Sequence, residues 1–177
     1  MNLGYTTGVF DLFHIGHLNL LRNARAVCDR LVVGVTTDEL LWIEKHKRSV
    51  IPHHERMEIV RSIRHVDAVI AQDTMDKLAV WERVRFDTMF VGDDWFDTPR
   101  WRDLETAFAE RGVRIMYFPY TKGTSSTLIN SVLEERRARL EQHPGRRATD
   151  RAGAAEATTA PEAFDVGVAG LDASGVR

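Results

Sequence analysis

The sequence predicts an α/β fold, a mostly parallel sheet with helices packed on both of its faces. Two observations carry that prediction. Five short runs rich in β-branched and apolar residues are separated by segments with helical apolar spacing. Strand and helix also alternate strictly, which calls for crossover connections and therefore a parallel sheet. At 177 residues, with 44% hydrophobic and 28% charged residues, the chain is long enough to enclose a real core and has a globular composition.

The elements follow in order. Residues 3–7 (LGYTT) form the first strand, and Leu18, Leu21, Ala24 and Cys28 then recur at helical spacing in a helix that starts near Ile15. Residues 31–37 (LVVGVTT) are the second strand. Pro52 opens the next helix, because a fixed φ and a missing N–H suit a first turn, and Met57, Val60 and Ile63 make its apolar stripe. A strand over 67–72 (DAVIAQ), a helix over 77–84, a strand over 87–92 (DTMFVG), a helix over 100–111 and a strand over 113–119 (VRIMYFP) complete the alternation. A last helix begins at Ser125 or Ser126, either of which can cap it, and is expected to bury Leu128, Ile129, Val132 and Leu133. The reading is a Rossmann-like, doubly wound parallel sheet in one domain over residues 1–140. Residues 141–177 are rich in Ala, Gly, Thr and charge, with few large apolar side chains to offset the entropy of ordering, and read as a disordered tail.

Composition narrows the function. A formal net charge of −2 gives no general attraction for nucleic acid, so any basic site is local. Cys28 is the only cysteine, which excludes an intrachain disulfide and suggests a buried thiol in a reducing compartment. The N-terminus lacks a signal-peptide pattern and no apolar run approaches membrane-spanning length. A cytoplasmic protein with no membrane or nucleic-acid partner is expected.

In an open α/β sheet, ligands bind beyond the carboxyl ends of the strands. Gly8, Phe10, Asp11, His14, Gly16 and His17 follow the first strand at that edge. A helix starting near Ile15 turns its free N–H groups and positive dipole end to the same place, which favours an anion. Histidines three residues apart share one helical face or its cap, so both can donate to one phosphate, and Gly16 allows close backbone approach. A metal pair is the weaker alternative, with no further Cys or His cluster nearby in sequence.

The stretch GVFDLFHIGH resembles the G-x-F-D-x-x-H-x-G-H signature of the nucleotidyltransferase superfamily, which includes the cytidylyltransferases. The resemblance continues through LVVGVTTDE, KHKRSVIPHHERMEIVRSIRHVD and FVGDDW, spans about residues 1–137, and is strongest to bacterial glycerol-3-phosphate cytidylyltransferases. It implies transfer of CMP from CTP, with Mg²⁺ riding on the triphosphate, to a small phosphorylated alcohol, and release of pyrophosphate. It further implies a homodimer. His14 and His17 match the signature histidines that contact nucleotide phosphates, Val9 and Phe10 the backbone beside them, and Lys45 and Lys47 the phosphate-binding lysines of a loop before the second helix. Arg56 and Arg64, eight residues apart on one helix, match active-site arginines, with Arg64 counted among the catalytic residues. Lys77 matches an acceptor-phosphate lysine, and Asp94 and Trp95 the residues beside the nucleoside.

One motif departs from the pattern. The family carries R-T-E-G-I-S-T-T before its final helix, and this chain has YTKGTSST, from Tyr120 through Thr121, Lys122, Gly123, Thr124, Ser125 and Ser126 to Thr127. The hydroxyls and the helix N-terminus can still hold triphosphate oxygens. Tyr120 stands where the family has arginine and Lys122 where it has glutamate, so Lys122 can restore the missing charge from two residues away. Three alternatives stay open: another polyol phosphate, phosphosugar or phosphonate as acceptor, ATP as donor, or a non-catalytic nucleotide-binding protein. HIGH with the later KGTSS is also similar to class I aminoacyl-tRNA synthetases, but the chain is too short for an anticodon-binding domain and has no basic excess for tRNA.

Overall fold

A computed structural model describes residues 1–93, 96–119 and 121–142, except for the side chain of Arg100. The sequence-predicted residues Asp94, Trp95 and Tyr120, and the tail beyond residue 142, lie outside the described residues. The chain divides into two units, Met1–Glu134 and Glu135–Arg177.

The first unit is built on five strands: β1 (Leu3–Gly8), β2 (Arg30–Thr36), β3 (Ala68–Gln72), β4 (Thr88–Gly92) and β5 (Arg114–Phe118). They pair in parallel throughout, in the order β3-β2-β1-β4-β5. The chain winds outward from β1 to β3, returns to the other side of β1, and leaves a crevice between β1 and β4, where the direction of winding reverses. Helices α1 (Ile15–Ala26) and α3 (His53–Arg61) cover one face; Leu21, Ala24 and Val60 pack there on Leu31, Val33, Val35 and Phe90. Helices α4 (Lys77–Val84) and α5 (Pro99–Ala109) cover the other, where Val80, Trp101 and Phe108 meet Tyr5, Val32, Met89 and Val91. Because both faces are buried, the strands are apolar on both sides rather than alternating. The predicted doubly wound α/β sheet is the architecture observed.

Four local expectations are corrected. Residues 38–45 form a helix, α2 (Asp38–Lys45), and Thr37 is not strand but its N-cap, accepting from the Leu40 amide at 3.1 Å. Lys45 therefore ends a helix instead of sitting in a loop. Cys28 is buried as expected, yet lies past the end of α1. Helix α3 stops at Arg61, so Arg64 does not share a helix with Arg56. The last helix, α6 (Ser126–Gln142), leaves Leu128, Val132 and Leu133 each about half exposed, at 50%, 52% and 48%. Its polar positions Thr127, Asn130, Ser131 and Glu134 line a cavity, which turns the Leu128–Val132 stripe outward. In the second unit the described residues are the end of α6, with an Arg137–Glu141 ion pair at 2.9 Å.

Candidate active site

The carboxyl end of β1 runs into a loop with two bulky residues in the left-handed region, Phe10 at φ 56° and Leu12 at φ 47°. Such backbone costs about 1–3 kcal/mol and persists only where its surroundings hold it. Here the Phe10 ring is buried in the core. The loop delivers His14 to the N-cap of α1. His14 Nδ1 accepts from the Gly16 amide at 3.0 Å, and His17 Nδ1 accepts from the His14 amide at 3.4 Å, a reciprocal capping box made by two imidazoles. Both Nδ1 atoms are acceptors, so in the neutral rings the proton sits on Nε2 of each. The rings stack 3.9 Å apart. Burial lowers the His14 pKa. Burial and then the neighbouring His14 push His17 down to about 4, against an upward pull from Asp11. Two neutral Nε2–H donors thus stand at the positive end of a helix. Gly16 has a steric reason beyond backbone access: a Cβ there would lie 2.9 Å from His14 Cε1.

The segment carrying Lys45 and Lys47 is tethered by polar bonds. The Asp11 carboxylate accepts from the Val50 amide at 2.8 Å and the Ile51 amide at 2.9 Å. Asp38 accepts from Ser49 Oγ at 2.7 Å and the His53 amide at 3.0 Å. Burial works against charge on Asp38, but these bonds and the Arg56 guanidinium outweigh it and hold its carboxyl below the usual range. Arg56 is fully buried. Its guanidinium donates to the carbonyls of Ile51 (2.9 Å), Thr36 (2.8 Å) and Val9, and to Asp38 at 2.6 Å. The residue expected to contact substrate is a strut that joins the ends of β1 and β2 to the lysine-bearing loop, and it does not line the cavity described next.

That cavity, about 780 Å³, opens at the carboxyl edge of the sheet. It gathers Val9, Phe10, Asp11, His14, Gly16 and His17 from one side and Lys45 and Lys47 from another. Thr121, Thr124, Ser125, Ser126 and Thr127 close it. Ser126 Oγ donates to the Asp11 carbonyl at 2.6 Å, and Asn19 Nδ2 to Thr121 Oγ1 at 3.2 Å, which pins the last loop onto the first. Lys122 is exposed and neither it nor Gly123, at φ 102°, lines the cavity. Arg64 is exposed in the turn before β3, at the opposite, amino-terminal edge of the sheet. Asn19, Asn23, Arg48 and Asn130 line the cavity and were not foreseen. Asn19 and Asn23 sit one turn apart on the cavity face of α1, a spacing that was legible.

A second cavity of about 690 Å³ lies on the α4/α5 side. Lys77 lines it at the first position of α4, with Met75, Asp76, Trp101, Asp103 and Leu104. Val9, Leu20, Leu41, Lys45 and Gly92 line both cavities, so the two chambers meet at the crevice between β1 and β4. Among the described residues no cluster of three or more His, Cys, Asp or Glu can hold a metal ion, and no helix is long and apolar enough to cross a membrane.

A parallel sheet with paired histidine donors at a helix N-terminus, lysines opposite and a chamber on each side of the switch point defines a nucleotide-binding α/β protein. The sequence pattern of the cytidylyltransferase-like family matches residues 5–139. The chain belongs to this family, and with it to the cytidylyltransferase enzymes. It is 36% identical over 129 residues to glycerol-3-phosphate cytidylyltransferase of Staphylococcus aureus, covering 72% of this chain and 92% of that one. It is 39% identical over 132 residues to ethanolamine-phosphate cytidylyltransferase of Arabidopsis thaliana, covering 71% of this chain but only 30% of the plant enzyme. Among solved structures, a lipopolysaccharide core biosynthesis protein from Thermoplasma volcanium shares the fold with a TM-score of 0.59 at 23% identity, over 70% of this chain and 99% of that one.

Proposed function

We propose that the chain transfers CMP from the magnesium complex of CTP to a small phosphorylated alcohol of the glycerol 3-phosphate kind and releases pyrophosphate. The observation that carries this reading is the meeting of two chambers at Val9, Lys45 and Gly92. One holds the phosphate-binding groups and suits the nucleotide; the other, with Lys77, suits the acceptor. A phosphate oxygen of the acceptor attacks the α-phosphorus at the seam. A new P–O bond forms as the bond to the β-phosphate oxygen breaks, and the electron pair leaves with pyrophosphate. The Nε2–H groups of His14 and His17 and the N-terminus of α1 stabilise charge developing on the transferred phosphate, and the Lys45 ammonium serves both phosphates. Mg²⁺ arrives as part of the substrate. Likeness over most of the length of the staphylococcal enzyme favours glycerol 3-phosphate as the acceptor; cytoplasmic action as a homodimer completes the proposed reading.

The test is pyrophosphate release with CTP and ATP against glycerol 3-phosphate, ethanolamine phosphate, a phosphosugar and a phosphonate. Release with CTP and a phosphorylated alcohol is expected. His14→Ala and His17→Ala should each lower kcat by roughly 10²-fold, as for loss of a preorganised donor. Silence across the whole panel, or full turnover in both variants, overturns the reading.

A further inference from the structure

The acceptor-side chamber has its own brace. Tyr5 and Gln72 are buried polar side chains in the core between the sheet and α4/α5, at 0% and 1% exposure. Tyr5 sits on β1 and Gln72 ends β3, two strand spacings away, roughly 10 Å, with β2 between them. The Tyr5 hydroxyl nevertheless donates to Gln72 Oε1. The bond passes over Gly34 of β2, where a Cβ would lie 2.1 Å from Tyr5 Oη and 2.8 Å from Gln72 Oε1. Three positions on three strands are thus committed to one hydrogen bond. The amide orientation is fixed from its far end: Gln72 Nε2 donates to the Thr74 carbonyl, which can only accept. Thr74 belongs to the segment that carries Met75, Asp76 and Lys77 into the second chamber.

We propose that Tyr5 and Gln72 are positioning residues for acceptor binding. They fix the backbone after β3, and through it the chamber wall formed by residues 75–77. Packing alone does not require a polar pair here, because the Tyr5 ring already stacks on Phe86 at 4.9 Å and phenylalanine would keep that contact. Replacing both partners of the Tyr5–Gln72 bond leaves no orphan between them and is nearly neutral, and the part-exposed Thr74 carbonyl, which loses its donor, can turn to water. What only the polar pair supplies is the hold on Thr74.

This inference rests on assigning the second chamber to the acceptor, and the experiment separates the two. Steady-state kinetics of the full chain with CTP and the best acceptor would be measured for Tyr5→Phe and for Tyr5→Phe combined with Gln72→Leu. Hydrogen exchange at residues 74–79 would be followed alongside. The single variant should raise acceptor KM roughly tenfold, as for a buried group left without its partner, and leave nucleotide KM within twofold. The double variant should recover thermal stability while acceptor KM stays high and exchange at 74–79 stays fast. Acceptor KM restored together with stability shows that the pair acts only in folding and overturns the proposal, as does unchanged exchange. Fast exchange at 74–79 with nucleotide KM raised in place of acceptor KM keeps the brace and refutes the acceptor assignment.

Discussion

Replacing Arg56 tests whether it contacts substrate or braces the site. Arg56→Met keeps most of the aliphatic stem and removes four hydrogen bonds at once, to Val9, Thr36, Ile51 and Asp38. A buried acceptor left without its donor costs about 1–3 kcal/mol, and breaking a buried ion pair about 3–5 kcal/mol. The three carbonyls belong to part-exposed residues and fall at the low end, about 1 kcal/mol each, and Asp38, 45% exposed, regains water and adds little, so the expected total is about 3–5 kcal/mol. For a unit of this size that corresponds to a fall in Tm of roughly 10–20 °C. Arg56→Lys should recover little, because one ammonium cannot span acceptors on four separate segments. Urea unfolding followed by far-UV circular dichroism gives the loss directly. A loss below about 1 kcal/mol, with turnover reduced through KM alone, would refute the bracing argument and return Arg56 to the substrate.

Three further outcomes are expected. His17 titrates near 4 in the native state against about 6.5 when unfolded, so the unfolded chain binds more protons between those values. Its contribution, at most about 3 kcal/mol, is complete above pH 6.5 and is lost as pH falls towards 4; His17→Asn, whose side-chain oxygen can still accept from the His14 amide, should flatten that part of the stability–pH curve. Gly16→Ala should displace the His14 ring and lower kcat tenfold or more, at a stability cost of about 1 kcal/mol for the weakened cap, so an unchanged kcat in the folded variant would argue against a catalytic His14. Lys47→Ala, at an exposed position, should leave Tm unchanged and raise KM for CTP, with isothermal titration of a non-hydrolysable CTP analogue as the check.

Strand and helix order was legible because parallel strands covered on both faces are continuous apolar runs, as in residues 31–35. The paired histidines were legible because the signature is local: cap, helix start and glycine fall within four residues. Helix α2 was missed although its signals are present, Thr37 as cap with Asp38 and Glu39 in the first turn. The β-branched run before it drew Thr37 into the strand. The role of Arg56 was not legible, since its four acceptors come from the ends of two strands, a loop and another helix, and no helical periodicity reports that. Helix α6 misled for a related reason. Its leucines and valines suggest burial, while its polar residues are the ones the cavity requires.

The chambers on either side of the β1–β4 crevice are braced by different polar side chains. Asp11, Asp38 and Arg56 hold the loops about the first, and Tyr5 and Gln72 bond across Gly34 beside the second; the two sets meet in the backbone, where the Thr37 amide donates to the Gln72 carbonyl at 3.0 Å. Substitutions far enough apart to share no partner add nearly independently. Under the proposed assignment of the chambers, acceptor choice and nucleotide grip are separable away from their shared wall at Val9, Lys45 and Gly92. Residues 75–78 and 101–107, which line only the second chamber, would then be the place to redesign acceptor preference with least effect on the nucleotide.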